Sequence, residues 1–218
     1  MALTTQEYQE FAFNSARKEN EQMARKVFFS FHYERDAWRA ANVRKSGVVA
    51  KDDEFGFIDA VDWEKIEREG EAAIRRWIQA QLKNTSVTVV LIGAETADRE
   101  WVQYEIRESW KRGNAILGVR IHGIKDTDSK TDRAGSDPLK QIRFSDNTTL
   151  SSVCKTYDWI ADDGRKHLGE WIESARQARD EMKEEKSIEE EVAKATSYAS
   201  VSAGPTVIRN PPKPWTSQ

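Results

Sequence analysis

"TSVTVVLIG", residues 85–93, decides the fold. From Val87 to Ile92 it is apolar and mostly β-branched, too short for a helix, and it stops at Gly93. Such a run predicts a strand buried on both faces at the centre of a largely parallel sheet. Its neighbours read as helices. Before it, "EKIEREGEAAIRRWIQAQLKN" (64–84) carries Ile74, Ile78 and Leu82 on one stripe with Ala73 and Trp77 beside it. After it, "DREWVQYEIRESWKRG" (98–113) repeats Val102, Ile106 and Trp110 every fourth residue until Gly113, with Asp98 as the expected cap.

Outward from this centre the alternation continues. "VFFSF" (27–31) reads as a first buried strand, followed by a helix in "ERDAWRAANVRKSG" (34–47) that Gly47 can end. "EFGFIDAVDW" (54–63) is a second short strand and "AILGVRI" (115–121) a fourth. Residues 123–150 are polar and rich in turn formers, an excursion from the core. "SSVCKTYDWIADDGRKHLGEWIESAR" (151–176) returns as a fifth strand and a closing helix. Alternating strands and helices predict an α/β three-layer sandwich on a flavodoxin-like plan, with a five-stranded, mainly parallel sheet.

Three segments follow: an N-terminal amphipathic helix at 1–24, the α/β domain at 25–175, and a charged helix with a disordered, Pro-containing tail at 176–218. The tail's "PPKP" also suits a proline-binding module, although disorder accounts for it without one.

Charge and composition exclude several classes. With 34 basic and 37 acidic residues interspersed, the net charge of -3 offers no broad basic face for nucleic acid. The single cysteine, Cys154, rules out an internal disulfide, and three scattered histidines have no metal-ligand spacing. No segment is apolar enough to span a bilayer and the start has no secretory pattern, so the expectation is a cytoplasmic chain.

In open α/β sheets ligands bind beyond the carboxyl ends of the strands, where strand order reverses. That rule selects Phe31, His32 and Tyr33, the stretch Asp59 to Trp63, and the turn from Gly93 to Trp101. Within the following helix Trp101, Glu105 and Glu108 form a line beside the apolar stripe. Glu105 at the core boundary is either a structural carboxylate paired with an arginine or a functional group. Trp63 and Trp101 can stack on a base or simply pack. His32 can be an acid or base, or a loop histidine without a role. Cys154 reads as an inert buried thiol rather than a nucleophile, and neither glycine-rich phosphate cradle occurs.

Together "KVFFSFHYERD" (26–36) and "TVVLIGAETADREWVQYEI" (88–106) resemble the first box and the tryptophan-x-x-x-glutamate helix of Toll/interleukin-1 receptor (TIR) domains. "NTSVTVVLIG", "WVQYEI" and "LSSVCKTYDWIADDG" are similar to the TIR-like subunit of bacterial Thoeris antiphage systems. The likeness runs from Arg25 to Ala175.

The resemblance implies a TIR-like fold and an enzyme that cleaves NAD between nicotinamide and ribose, closing the rest into a cyclic ADP-ribose isomer. NAD is then substrate, and no cofactor or metal is expected. Further partners implied are a downstream effector reached by that diffusible signal, a phage-derived trigger, and a second copy of the chain. By the family motif Glu105 is catalytic, while Phe31, His32, Tyr33, Asp59, Trp63 and Trp101 are expected to hold substrate. Two other readings stand beside this one: a TIR-type interaction module without chemistry, and a nucleoside-handling N-glycosyl transferase on the same layout.

Overall fold

The computed structural model describes residues 27–46, 65–83 and 85–202, of which 192–202 as backbone only. Its strands are β1 (Val27–Ser30), β2 (Val87–Ile92), β3 (Ala115–Arg120) and β4 (Thr156–Asp158). They form one parallel sheet in the order β1-β2-β3-β4. The α/β class and the parallel pairing agree with the sequence reading. The expected second strand, 54–63, lies outside the described residues, as do the helix expected at 1–24 and the tail after 202, and four strands fall among the described residues. Strand order does not reverse among the described strands.

The helices are α1 (Tyr33–Arg44), α2 (Glu71–Lys83), α3 (Glu100–Arg112) and α4 (Gly164–Ser202). Alternation along each strand divides them between two faces. Val27 and Phe29 of β1, Val87, Val89 and Leu91 of β2, and Leu117 and Val119 of β3 pack with α1 residues Ala40 and Val43 and α4 residues Leu168 and Ile172. On the opposite face Val90, Ile92 and Ile116 meet Val102 and Ile106 of α3, while Phe28 meets Ile74, Ile78 and Leu82 of α2. That face also buries a hydroxyl pair, Thr88 Oγ1 donating to Ser109 Oγ at 2.8 Å. Two compact units divide the chain, Met1–Arg179 and Asp180–Gln218.

Local chemistry moves several boundaries. The long helix expected over 64–84 is interrupted at Gly70, whose φ of +89° is left-handed, and α2 begins at the next residue. α1 ends at Arg44, before Gly47, which lies outside the described residues. Asp98 does not cap α3: it closes a 3-10 turn, Thr96–Asp98, and Arg99 takes the cap position without a side-chain cap bond. Gly113 ends α3 as expected, at φ +84°. The 123–150 excursion is less peripheral than its polarity suggests, because Leu139 and Leu150 are fully buried beside α3.

Candidate active site

The site is built where β1 ends. Phe28 and Ser30 point toward α2 and α3, and the chain then leaves the sheet through Phe31 and His32 into α1. α3 crosses the same end of the strand. Trp101 and Glu105, four residues apart, share one side of this helix. The result is a cleft lined by Phe28, Phe31, His32, Tyr33, Trp101 and Glu105. Trp77 of α2 and Arg99 complete its walls, with exposed Glu34 and Glu67 at the rim.

Thus Phe31, His32, Tyr33, Trp101 and Glu105 come together around one cavity. Asp59 and Trp63 lie outside the described residues.

Glu105 is 7% exposed and its carboxylate Oε2 accepts one hydrogen bond, from Ser30 Oγ at 2.5 Å. Among the described residues no arginine, lysine or histidine pairs with it. Burial pushes its pKa up to about 8, against which the Ser30 hydrogen bond pulls down. A carboxyl held this way favours its neutral form near pH 7.

His32 is also buried, and neither ring nitrogen has a hydrogen-bond partner. Burial first, then the charge of Arg99, holds its pKa below the ordinary histidine value. The imidazole is therefore neutral near pH 7. The carboxylates of Glu34 and Glu95 stand 3.6 and 4.0 Å from its two nitrogens, beyond hydrogen-bonding distance.

Aromatic rings form the remaining walls. Trp101 stands edge-on to Tyr104 with centroids 5.9 Å apart, and the Arg75 guanidinium lies over both rings. Phe31 and Tyr33 pair at 5.8 Å, and Phe28 and Trp77 at 6.5 Å. The cleft thus offers flat apolar surfaces around one buried acid, an arrangement suited to a ring-bearing ligand with a positive centre.

Sequence reasoning missed Ser30. The available signal was a hydroxyl inside an otherwise apolar strand, "VFFSF", on the same face as Phe28. It also missed Arg99 as the residue at the head of α3. Cys154 is buried, and its thiol pKa is pushed up to about 12, mainly by desolvation. It matches the inert reading. Among the described residues no group of acidic, histidine or cysteine side chains could hold a metal ion, and no helix is long and apolar enough to cross a membrane.

Comparison with known proteins places this geometry in a lineage. Residues 28–126 match the Thoeris protein ThsB, TIR-like domain. A Bacillus cereus (strain MSX-D12) protein named "Putative cyclic ADP-D-ribose synthase ThsB1" is 33% identical over 191 residues, covering 69% of this chain and 100% of that protein. At that identity and coverage the chain belongs to the Thoeris ThsB family of TIR-like proteins.

Proposed function

We infer that this protein is a TIR-like antiphage enzyme that cleaves NAD at the nicotinamide–ribose bond and closes the ADP-ribose half into a cyclic signal for a partner effector. The observation that carries the reading is Glu105: a buried carboxyl, bonded among the described residues to Ser30 alone, facing an aromatic-walled cleft. The 33% identical relative, whose name is that of a cyclic ADP-ribose synthase, supports the same chemistry.

A single carboxylate suffices for this bond. The pyridinium ring of NAD carries a positive charge, and nicotinamide leaves with the bonding electron pair as a neutral molecule. No general acid is needed at the leaving group, unlike ordinary glycoside hydrolysis with its two carboxylates. What needs stabilising is the ribosyl oxocarbenium. Glu105 is buried, where a negative charge acts strongly on that cation, and more strongly than on the ground state.

In this reading Glu105 is neutral before substrate binds, and the pyridinium's positive charge lowers its pKa so that its proton passes to solvent. Ser30 then holds Oε2, orienting the carboxylate. Phe31, Tyr33 and Trp101 supply faces for the two ring systems of a folded dinucleotide. A nucleophilic atom of the adenosine half attacks the ribosyl carbon and releases one proton, giving nicotinamide and cyclic ADP-ribose. Excluding water from the walls favours that ring closure over hydrolysis.

NAD acts here as substrate and no cofactor takes part. Infection supplies the trigger, and a second copy of the chain is a further partner in this reading. The test is nicotinamide release and cyclic nucleotide formation in phage-infected cells carrying the native protein or Glu105→Gln at equal abundance. Product in the native cells alone supports the reading, and equal product in both defeats it.

A further inference from the structure

We propose that Arg75 of α2 is a positioning residue for the cleft: it pins the Trp101 ring as a wall, and so sets how much water reaches the ribosyl carbon beside Glu105. The role deepens the NAD reading and rests on it for the identity of the ligand and of the products.

Trp101 separates two hollows. It borders the cleft together with Phe28, Tyr33 and Glu105. It also borders a second hollow, between α2 and α3, which Arg75, Tyr104, Arg107 and Gln141 line. Trp101 is only half-buried, and the outer torsion of a tryptophan side chain is broad. An indole with open space behind it tilts away from whatever stacks on its front unless a neighbour backs it.

Arg75 supplies that backing. Its Cζ lies 5.5 Å from the centroid of the Trp101 ring and 4.8 Å from that of Tyr104. Tyr104 meets Trp101 edge-on, with ring planes 88° apart. One turn along α2 from Arg75, Gln79 Nε2 donates to the Tyr104 hydroxyl at 3.0 Å. Thus α2 grips Tyr104 at its face and at its hydroxyl, and grips Trp101 both directly and through Tyr104. Glu71 stands 3.7 Å from Arg75, but with side chains 77% and 50% exposed this surface pair contributes little. A guanidinium over aromatic faces at a partly exposed site is worth a factor of about two to five in an equilibrium.

The wall acts after the bond to nicotinamide breaks. The electron pair of that bond leaves with nicotinamide, and the ribosyl cation is then captured by a nucleophilic atom of the adenosine half or by water. Either capture ends with loss of one proton, giving cyclic ADP-ribose in the first case and linear ADP-ribose in the second. A fixed wall keeps the adenosine half folded and solvent out, whereas a wall that swings into the hollow behind it admits water. The ratio of the two products therefore reads the wall, while total nicotinamide reads Glu105.

The experiment compares the whole native chain with Arg75→Met, Arg75→Lys and Glu71→Gln at equal abundance in phage-infected cells without the partner effector. Nicotinamide, cyclic ADP-ribose and linear ADP-ribose are measured from one extract, with cells carrying Glu105→Gln as the baseline. Arg75→Met keeps the length of the side chain and removes the cation. It is expected to raise the ratio of linear to cyclic product about two- to fivefold, with Arg75→Lys recovering part of the change and Glu71→Gln matching the native ratio. An unchanged ratio in Arg75→Met overturns the role, and so does an equal change in Glu71→Gln, which would assign the effect to the surface ion pair. A second readout needs no turnover. In a double-mutant cycle of Arg75→Met and Trp101→Leu, followed by denaturant unfolding, the two side chains should be coupled by a factor of about two to five, and additive effects overturn the clamp. Coupled side chains in a protein that releases no nicotinamide would retain the clamp and sink the NAD reading. Glu105-dependent nicotinamide release with additive effects and an unchanged product ratio would do the reverse.

Discussion

Replacing Glu105 by glutamine should stabilise the folded protein, and increasingly so as pH rises. In the folded state desolvation moves the carboxyl from its ordinary 4.5 to about 8. The unfolded chain, with the ordinary value, ionises first. Between those two values the folded state binds more protons than the unfolded one, so this group's contribution makes stability fall as pH increases. At about 1.4 kcal/mol per unit, the separation corresponds to about 5 kcal/mol once both states are ionised. Below pH 4.5 the group costs nothing, and above pH 8 its full cost is present and constant.

Glutamine keeps the size of the side chain and an oxygen for the Ser30 hydroxyl, which now bonds at 2.5 Å, and it has no titration. Other ionisable groups act alike in the two proteins and cancel in the difference. Thermal unfolding of both from pH 4 to pH 9.5 should give near-equal midpoints at the acid end. The midpoints should separate through neutrality to a plateau on the order of 10 °C or more, with Glu105→Gln the more stable. Midpoints that run parallel across the range would refute the argument, because they would mean the carboxyl is solvated or paired. A more stable protein that has lost its chemistry is the behaviour expected of a functional carboxylate rather than a structural one.

Ser30→Ala removes the hydrogen bond that favours the ionised carboxyl. The rising limb of the kcat/KM profile should therefore move at least about one unit toward alkaline pH, and a uniform drop with no shift would assign Ser30 to packing. Gly93→Ala places a Cβ 2.0 Å from Asp36 Oδ2, whose side chain is fully buried and cannot swing aside. It should cost about 1–3 kcal/mol in denaturant unfolding. Ile78→Ala opens a hole where α2 meets Phe28 and should cost about 2–5 kcal/mol by the same measurement. Cys154, buried with its thiol pushed up to about 12, should resist alkylation in native protein at pH 8 and react fully in denaturant.

The parts of this molecule that sequence reveals are those set by local pattern. β2 and β3 are short apolar runs between turn formers, and their helices carry regular stripes, so both elements and their order follow from periodicity. Glu105 was visible because a carboxylate adjoined such a stripe. Ser30 was not, because its meaning depends on α3 docking across β1, 75 residues away. The Asp98 expectation failed for a related reason. Thr96 Oγ1 accepts from Gly93 N at 2.9 Å and donates to Leu91 O at 3.3 Å, tying the turn back onto β2. The next residues are then drawn into a 3-10 turn, and the cap passes to Arg99. Propensity alone favours aspartate at a cap, but the tertiary closure of the turn decides which residue reaches it.

The same closure links charge to catalysis in a way that can be measured. With a pKa of about 8, Glu105 is mostly protonated in the empty protein at pH 7. A pyridinium held against it should lower that value by about 1–3 units, since an opposite charge inside a buried site favours the ionised form. Binding must then expel on the order of half a proton or more per ligand. A carbocyclic NAD analogue keeps the cation but lacks the cleavable glycosidic bond, so its binding can be followed without turnover. Calorimetry at pH 7 in two buffers of different ionisation enthalpy gives the proton count. Native protein should release protons, Glu105→Gln should release none, and affinity for the analogue should rise with pH toward 8 in the native protein alone. Release of protons by both proteins would assign the titration to another group, and release by neither would show that the substrate's cation does not meet Glu105. Proton release confined to the native protein would explain how the site tolerates a buried acid with no basic partner among the described residues, because its counter-charge would then arrive with the substrate.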